Sequence, residues 1–183
     1  MRNVARSEQG FVLPISLIFL VVMTLLAITA IRKATMDEKV GGNLRAQEAA
    51  FQAAEKALRF CERSIVLATG DRNMCKQRAG ATIPIQDPKT VDLELMTAKD
   101  IKDSFPKLWK DKATWVGGGK IATALTGADV QTGVVEQPSC LIERWPLIGR
   151  EERYYPYVIT ARGVGTTDTA VVYLQEIIRC GNY

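Results

Sequence analysis

The sequence contains no histidine, so it lacks the side chain that most often serves as a general base in enzymes. Ser104 and Ser139 carry hydroxyls of the nucleophilic type, but no base or oxyanion-binding loop can be assigned to either serine. The glycine-rich run that ends at Lys120 is not a phosphate-binding loop, because Thr114 stands where that motif needs its first glycine and Ile121 follows the lysine. We therefore expect no catalytic residue and no cofactor.

Net charge is small as well. The 24 basic and 20 acidic residues leave a charge of +4, and the two signs are mixed along the chain rather than collected in blocks. Nucleic-acid binding is usually marked by a block of basic residues, so we expect no nucleic-acid partner. Acidic residues are absent from one long stretch, which runs from Phe11 to Ile31.

Cysteine occurs four times, at Cys61, Cys75, Cys140 and Cys180. The spacings contain no paired C-x-x-C motif, and the chain has no histidine, so we expect no metal site. Disulfides are typical of domains in oxidising compartments, and four cysteines allow three connectivities. We favour Cys61 with Cys75, because a short returning loop joins them. We pair Cys140 with Cys180, because both lie in strand-like runs near the start and end of a predicted sheet.

Residues Phe11 to Ile31 form an uncharged apolar run of 21 residues. A helix of this length crosses the hydrocarbon core of a bilayer, so the run predicts a membrane-spanning segment. The leader before it, residues 1–10, carries two arginines and ends at Gly10. A secretory signal is cut after its apolar part, whereas a cut after Gly10 leaves the apolar run on the mature chain.

The helical pattern continues past the apolar run in amphipathic form. Apolar residues recur three, four or seven positions apart and are separated by charged residues, as in a helix with one buried stripe. The stripe consists of Val40, Leu44, Phe51, Ala54, Leu58, Cys61 and Ile65. We therefore predict that residues 32–66 form the amphipathic half of one long helix. Gly41 and Gly42 interrupt it, and two interpretations stay open there: a bend, or close packing against a neighbour.

The last third of the chain contains short apolar runs separated by turn residues, which predicts strands. The predicted strands are 134–135, Ser139–Trp145, Tyr157–Val164 and Thr169–Ile178. An antiparallel sheet of four strands packed on the amphipathic half of the helix gives an α+β fold. The globular domain is then expected at residues 67–183.

The middle of the chain, residues 67–135, contains no motif that identifies a function. The segment Gly70 to Pro88 is polar and rich in turn formers, so it is predicted to be a loop. Thr97 resembles the start of a capping box that opens a short helix, which Pro106 limits. Trp109 and Trp115 are predicted to anchor the core, and the three glycines after them to form a turn.

The N-terminal region resembles the PilX family of type IV minor pilins. The resemblance rests on the junction GFVLPISL, on the pair Glu38 and Lys39, on Gly42-Asn43, and on the run from Ala50 to Leu58. The C-terminal sequence YVITARGVGTTDTAVVYLQEIIRC is similar to the closing strands of the same family. Both ends of the chain therefore carry the resemblance, and the middle does not.

The resemblance implies a pilin-like fold and a defined course of processing. Residues 1–10 are then a leader that prepilin peptidase removes after Gly10, and the new amine on Phe11 is methylated. Residues 11–31 hold the protein in the inner membrane with its C-terminal domain in the periplasm, and the protein reaches the pilus at the cell surface on assembly. The implied partners are prepilin peptidase, the major pilin and other minor pilins, with a tip adhesin as a further candidate.

One position departs from the pattern of major pilins. In those proteins the fifth residue of the mature chain is a glutamate whose carboxylate neutralises the terminal amine of a neighbouring subunit. Ile15 occupies that position here. The departure indicates a subunit that helps begin a pilus and stays at or near its tip, unless the glutamate is dispensable in low-copy subunits. The alternatives are a tip-displayed adhesin or ligand-binding module, and a minor pseudopilin of type II secretion.

Overall fold

The computed structural model describes residues 11–68, 71–87, 105–145 and 155–179. The chain divides into two compact units, residues 1–44 and residues 45–183. One helix, α1, runs from Val12 to Glu62. Gly41 and Gly42 lie inside it without a break, and no neighbouring atom lies within 4 Å of a Cβ placed on either glycine. The helix is therefore not interrupted at these glycines, and the bend and the packing against a neighbour both stay predictions.

The chain leaves α1 through a tight turn at Arg63 and Ser64. The backbone N–H and the hydroxyl of Ser64 both donate to the carbonyl oxygen of Cys61, at 2.9 and 2.6 Å. They satisfy a carbonyl that has no partner inside the helix. Strand β1, Ile65–Ala68, follows at once and pairs antiparallel with β2, Asp71–Gln77.

The loop predicted from Gly70 to Pro88 is wrong, because β2 and a further short strand, β3 at Ile85–Gln86, lie inside it. The sequence of β2 is mostly polar, and polar runs without periodicity are typical of loops. β2 is a strand because it pairs with β1, and the two strands form a two-stranded sheet. Strand formation depends on such neighbours more than on the composition of the strand itself.

A second sheet, of five strands, forms the body of the domain. Its longest strands are β5, Ser139–Arg144, β6, Tyr157–Val164, and β7, Val171–Ile178, which pair antiparallel in that order. β3 and β4, Thr123–Ala124, both pair with the other side of β5, β3 parallel and β4 antiparallel. The sheet is therefore mixed rather than antiparallel throughout, and the predicted α+β, pilin-like architecture is confirmed.

Three of the four predicted strands are confirmed, and the strand at 134–135 is wrong. Val135 donates one backbone hydrogen bond to the carbonyl of Gly165, at 2.9 Å, but no ladder forms. Gly133, two residues earlier, has a φ of 75°. A backbone in the left-handed region cannot continue a strand, so the chain only touches the sheet here.

α1 packs on β6 through its smallest side chains. The fully buried residues of the helix are Ala50, Ala53, Ala54, Ala57 and Cys61. A Cβ atom on Gly163 would overlap backbone atoms of Ala50 and Ala54, and one on Gly165 would overlap the carbonyl oxygen of Ala46. Glycine is therefore required on the sheet wherever the helix backbone lies against it.

This close approach corrects the predicted stripe. Ala54, Cys61 and Ile65 are buried, but Val40, Leu44 and Phe51 are exposed. The buried face is the line of alanines beside them, because a helix that lies this close to a sheet has no room for large side chains between the two backbones. The prediction was therefore right for Ala54, Cys61 and Ile65 and wrong for Val40, Leu44 and Phe51. The buried part of the helix begins at Ala46.

The face of the sheet away from α1 is covered by the segment from Phe105 to Ala122. Trp115 is 1% exposed and packs on Leu141 of β5, and its Nε1 donates to the carbonyl oxygen of Trp109 at 2.8 Å. Trp115 is thus the predicted core anchor, while Trp109 is half-buried. The predicted turn after them is present at residues 116–119, and the helix predicted from Thr97 lies outside the described residues up to 104.

Candidate assembly surfaces

Every residue from Phe11 to Ile31 is exposed within the chain. This leaves a continuous apolar surface on all sides of the helix, far larger than the apolar patches of soluble proteins. Among the described residues, α1 is the one helix that is long and apolar enough to cross a membrane. The surface fits a membrane anchor, and the same side chains are free to pack against other helices.

Three hydroxyl groups interrupt this apolar surface, and each is satisfied inside the helix. Ser16, Thr24 and Thr29 donate to the carbonyl oxygens three residues earlier, all at 2.8 Å. A hydroxyl that is bonded to its own backbone costs little free energy in an apolar environment. These side chains therefore pose no obstacle to burial of the segment among lipids or other helices.

The start of the helix carries the residues on which the resemblance to pilins depends. Phe11 lies just outside α1 and is exposed. Pro14 lies in the first turn, where a backbone N–H has no helical acceptor, so proline is tolerated. Ile15 exposes 51% of its surface. Gly10 lies outside the described residues, and the first carboxylate after it in the sequence belongs to Asp37.

Cys61 and Cys140 form a disulfide, with their Cα atoms 6.2 Å apart. The predicted pairing of Cys61 with Cys75 and of Cys140 with Cys180 is therefore wrong. Cys61 faces the sheet from the last turn of α1, and Cys140 lies beneath it on β5, although the two are 79 positions apart in sequence. Cys75 on β2 is also disulfide-bonded. Cys180 lies outside the described residues.

An open groove of about 890 Å³ lies at the C-terminal end of α1. Residues at the end of the helix and residues of other segments line it, and most of them are charged. They include Lys56, Arg59, Glu62, Arg63, Asp129, Glu176 and Ile178. Arg59 pairs with Glu62 at 2.8 Å, and Arg63 with Asp129 at 3.0 Å. Three carboxylates lie among the four cations Lys56, Arg59, Arg63 and Arg179, so the groove is not the basic cleft that a polyanion would need.

Glu143 is a buried carboxyl on the face of β5 opposite α1. It is 3% exposed, its Oε1 accepts the N–H of Leu108 at 3.2 Å, and its Oε2 has no hydrogen-bond partner among the described residues. Burial raises the pKa of Glu143 from 4.5 to about 7, and the Leu108 N–H opposes this rise. In the sequence this glutamate resembles a solvent-facing strand residue, so nothing there indicated its burial.

The structure describes Ser139, one of the two serines considered for chemistry. Across the four described ranges, no group of three or more cysteine, aspartate or glutamate side chains is placed to hold a metal ion. Ser139 is 3% exposed, and its hydroxyl has no hydrogen-bond partner among the described residues, so no described base contacts it. Ser104 lies outside the described residues.

Two family models match the chain. One, described as PilX N-terminal, matches residues 9–59, which include the Gly10–Phe11 junction and most of α1. The other, described as type IV pilus assembly protein PilX C-term, matches residues 71–180, from β2 to beyond β7. No curated protein and no solved structure matches the chain.

Proposed function

The chain belongs to the PilX family of type IV pilus assembly proteins and is a minor pilin, and we propose that it helps to initiate a pilus and stays at or near the tip, together with other minor pilins. The observation that carries this proposal is the absence of any carboxylate from Phe11 to Ile31. Major pilins, which the chain resembles, have a glutamate where this chain has Ile15.

The physical argument concerns a charged amine in an apolar bundle. A pilin that joins beneath an existing subunit brings its glutamate to the terminal amine of that neighbour. An amine without an acidic partner is costly in such a place, by several kcal/mol. A subunit with Ile15 cannot supply the carboxylate when it joins beneath another one. It can still be the first subunit, because a first subunit has no neighbour above it to neutralise.

The rest of the chain supports a role through protein contacts. The apolar half of α1 packs on other helices in the filament, where van der Waals contact between helices provides the attraction. The domain of residues 45–183 then distinguishes one neighbour from another. PilX pilins are structural proteins, and the buried seam between residues 46–61 of α1 and β6 lies within this domain.

Processing and location follow from the same proposal. Prepilin peptidase removes residues 1–10, and Phe11, which is exposed at the start of α1, receives the methyl group on its new amine. Before assembly the protein spans the inner membrane once, with its domain in the periplasm. The disulfide between Cys61 and Cys140 supports an oxidising compartment for this domain.

The test places a carboxylate where major pilins have one. Ile15→Glu and Ile18→Glu are compared with the unmodified protein, each carrying the same small label, and the labels are located along sheared filaments. We expect tip labels for the unmodified protein and for Ile18→Glu, and labels along the shaft for Ile15→Glu alone. Labels spread along the shaft in the unmodified protein would refute the tip assignment.

A deletion strain separates the initiation role from its alternatives. We expect fewer surface pili, and with them less adhesion and twitching, while the retraction machinery stays intact. Normal piliation with loss of binding to a surface would replace initiation with the tip-adhesin function. Normal piliation with loss of protein secretion would instead indicate a minor pseudopilin of type II secretion.

A further inference from the structure

The segment from Lys107 to Ile121 concentrates positive charge. It contains four lysines, at positions 107, 110, 112 and 120, and one acidic residue, Asp111. All four lysines are exposed. The carboxylate of Asp111 accepts the backbone N–H of Ala113 at 2.9 Å. The segment therefore carries three of the four net positive charges of the whole chain.

Aliphatic side chains are exposed beside these lysines. Leu108, Val116 and Ile121 expose 41%, 38% and 37% of their surfaces. Leu108 and Ile121 each follow a lysine directly in sequence. The backbone N–H of Val116 donates to the carbonyl oxygen of Lys112 at 3.2 Å. Each of the three aliphatic side chains thus lies beside a lysine, either along the chain or through a backbone hydrogen bond.

Trp109 adds an aromatic ring to the same surface. The Nζ of Lys110 lies 5.4 Å from the centroid of this half-buried ring, a distance at which a cation is attracted to a π system. The ring centroid also lies 6.3 Å from that of Tyr173, which is 43% exposed. Tryptophan and tyrosine are enriched where a membrane meets water, because each combines an apolar ring with one polar group.

A buried threonine holds the segment in one compact arrangement. Thr114 is 2% exposed, and its hydroxyl donates to the carbonyl oxygen of Leu108 at 2.7 Å. Its own carbonyl oxygen accepts the N–H groups of Ile121 and Ala122, at 3.1 and 3.0 Å. Both ends of the segment are therefore tied to one residue. We call the exposed surface formed by the four lysines, Trp109 and the three aliphatic side chains the lysine patch.

The composition of the lysine patch indicates which kind of partner fits it. Lysines alone would fit any polyanion, such as a nucleic acid or an acidic polysaccharide, but those partners offer no apolar phase to aliphatic side chains. An anionic bilayer offers both kinds of contact. Its headgroups attract the lysines, and the boundary between headgroups and acyl chains takes up aliphatic and aromatic side chains.

The lysine patch belongs to the segment that covers the face of the sheet away from α1. In a filament whose core consists of pilin helices, this face lies on the side away from that core. We propose that the lysine patch binds the anionic lipid surface of a cell that the pilus touches. The choice of this membrane rests on the proposed function, because a subunit meets another cell only as part of the filament.

The test uses the full-length protein in nanodiscs of phosphatidylcholine, so that α1 is already embedded in a neutral bilayer. Sucrose-loaded vesicles are added and then sedimented. They consist either of phosphatidylcholine alone or of equal parts of phosphatidylcholine and phosphatidylglycerol. We expect binding to the anionic vesicles to be stronger by roughly tenfold or more, and the difference to shrink as salt is added.

Two double variants locate the charge that is responsible. Lys110→Ala with Lys112→Ala removes two charges from the lysine patch, whereas Lys76→Ala with Arg78→Ala removes two charges from exposed positions outside it. We expect the first pair to weaken binding to anionic vesicles by roughly tenfold, and the second pair to leave it nearly unchanged.

Val116→Ser tests the apolar contact, because it leaves the charge of the lysine patch unaltered. Val130→Ser is the matched control, since Val130 is 42% exposed and lies outside the patch. We expect Val116→Ser alone to weaken vesicle binding, by roughly threefold. A fluorescent amino acid that is sensitive to its environment, placed at position 116, should shift its emission to the blue when anionic vesicles bind.

Equal binding to neutral and anionic vesicles would overturn the proposal, and so would equal weakening by the two double variants. Displacement by a single-stranded oligonucleotide, together with no effect of Val116→Ser, would assign the lysine patch to a polyanion instead. Failure of membrane binding is distinguishable from failure of the initiation role. Vesicle binding is measured on the isolated protein, whereas the filament labels locate the subunit whether or not the patch binds lipid.

Discussion

Gly163 on β6 lies so close to Ala50 on α1 that a Cβ atom on the glycine would overlap the alanine carbonyl oxygen. The contact is between backbones, so no side-chain rotation can relieve the overlap. The same applies one turn along the helix, where Gly165 lies against Ala46. Helix and sheet therefore fit only while these two positions carry no side chain.

Gly163→Ala should separate α1 from β6 and destabilise the domain, by roughly 3 kcal/mol. Gly118→Ala is the matched control, since a Cβ at Gly118 meets no atom within 4 Å and its φ is not positive. Urea unfolding with the disulfides intact measures both. Equal stability of the two variants would mean that the helix shifts on the sheet without loss of free energy.

The disulfide between Cys61 and Cys140 closes a loop of 79 residues in sequence separation. Replacing both cysteines with alanine should lower the free energy of unfolding by on the order of 4 kcal/mol, because the unfolded chain gains the entropy of the opened loop. Peptide mapping of the unmodified protein should find Cys61 linked to Cys140. Cys75 should be linked to Cys180, the remaining cysteine in the sequence. A Cys61–Cys75 peptide would contradict the structure.

Glu143 should make the stability of the domain depend on pH. Because burial raises its pKa to about 7, the folded state binds a proton that the unfolded state releases near pH 4.5. The stabilisation is complete below about pH 4.5 and is lost as the pH rises through about 7, a change of at most about 3 kcal/mol. Urea unfolding at pH 5 and pH 8 measures the difference.

Glu143→Gln tests the assignment, because glutamine keeps an oxygen for the Leu108 N–H and cannot ionise. We expect it to reduce the difference in unfolding free energy between pH 5 and pH 8. Glu55→Gln, on the exposed side of α1, should leave that difference unchanged. If both variants keep the full pH dependence, another group is responsible for it.

Gly10→Val should block removal of the leader, since the small residue leaves the backbone open to the peptidase at the membrane surface. The mass of the N-terminal peptide decides: the unmodified protein should begin at a methylated Phe11, and the variant should retain residues 1–10. Ser7→Ala, elsewhere in the leader, should be processed normally. A mature unmodified protein that keeps its leader would exclude this processing.

The elements that could be predicted are those with a strong local signal. The run from Tyr157 to Val164 is a strand because it combines β-branched and aromatic residues between turn residues, and its predicted bounds match the structure. The polar strand β2 and the pairing of Cys61 could not be predicted in the same way. Both depend on which segment lies alongside, and sequence distance favoured the nearer cysteine.

The features of the candidate surfaces also differ in whether the sequence alone was enough to find them. Ile15 is found by counting from Gly10, so sequence was enough. Glu143 needed the structure, because burial of a strand residue depends on the segment that covers it. Ala50 illustrates a third case: the resemblance marked it, but only the packing against Gly163 explains why that position carries an alanine.

The disulfide at the end of α1 also determines how the molecule carries a mechanical load. When a filament retracts against a fixed object, tension enters each subunit along its helix. In this domain the disulfide from Cys61 to Cys140 gives that tension a covalent path into the middle of the fold, besides the path through the turn at Arg63 and Ser64. Pulling on α1 therefore loads the bond between Cys61 and Cys140 before it can stretch the chain between the two cysteines, because the bond closes that chain into a loop.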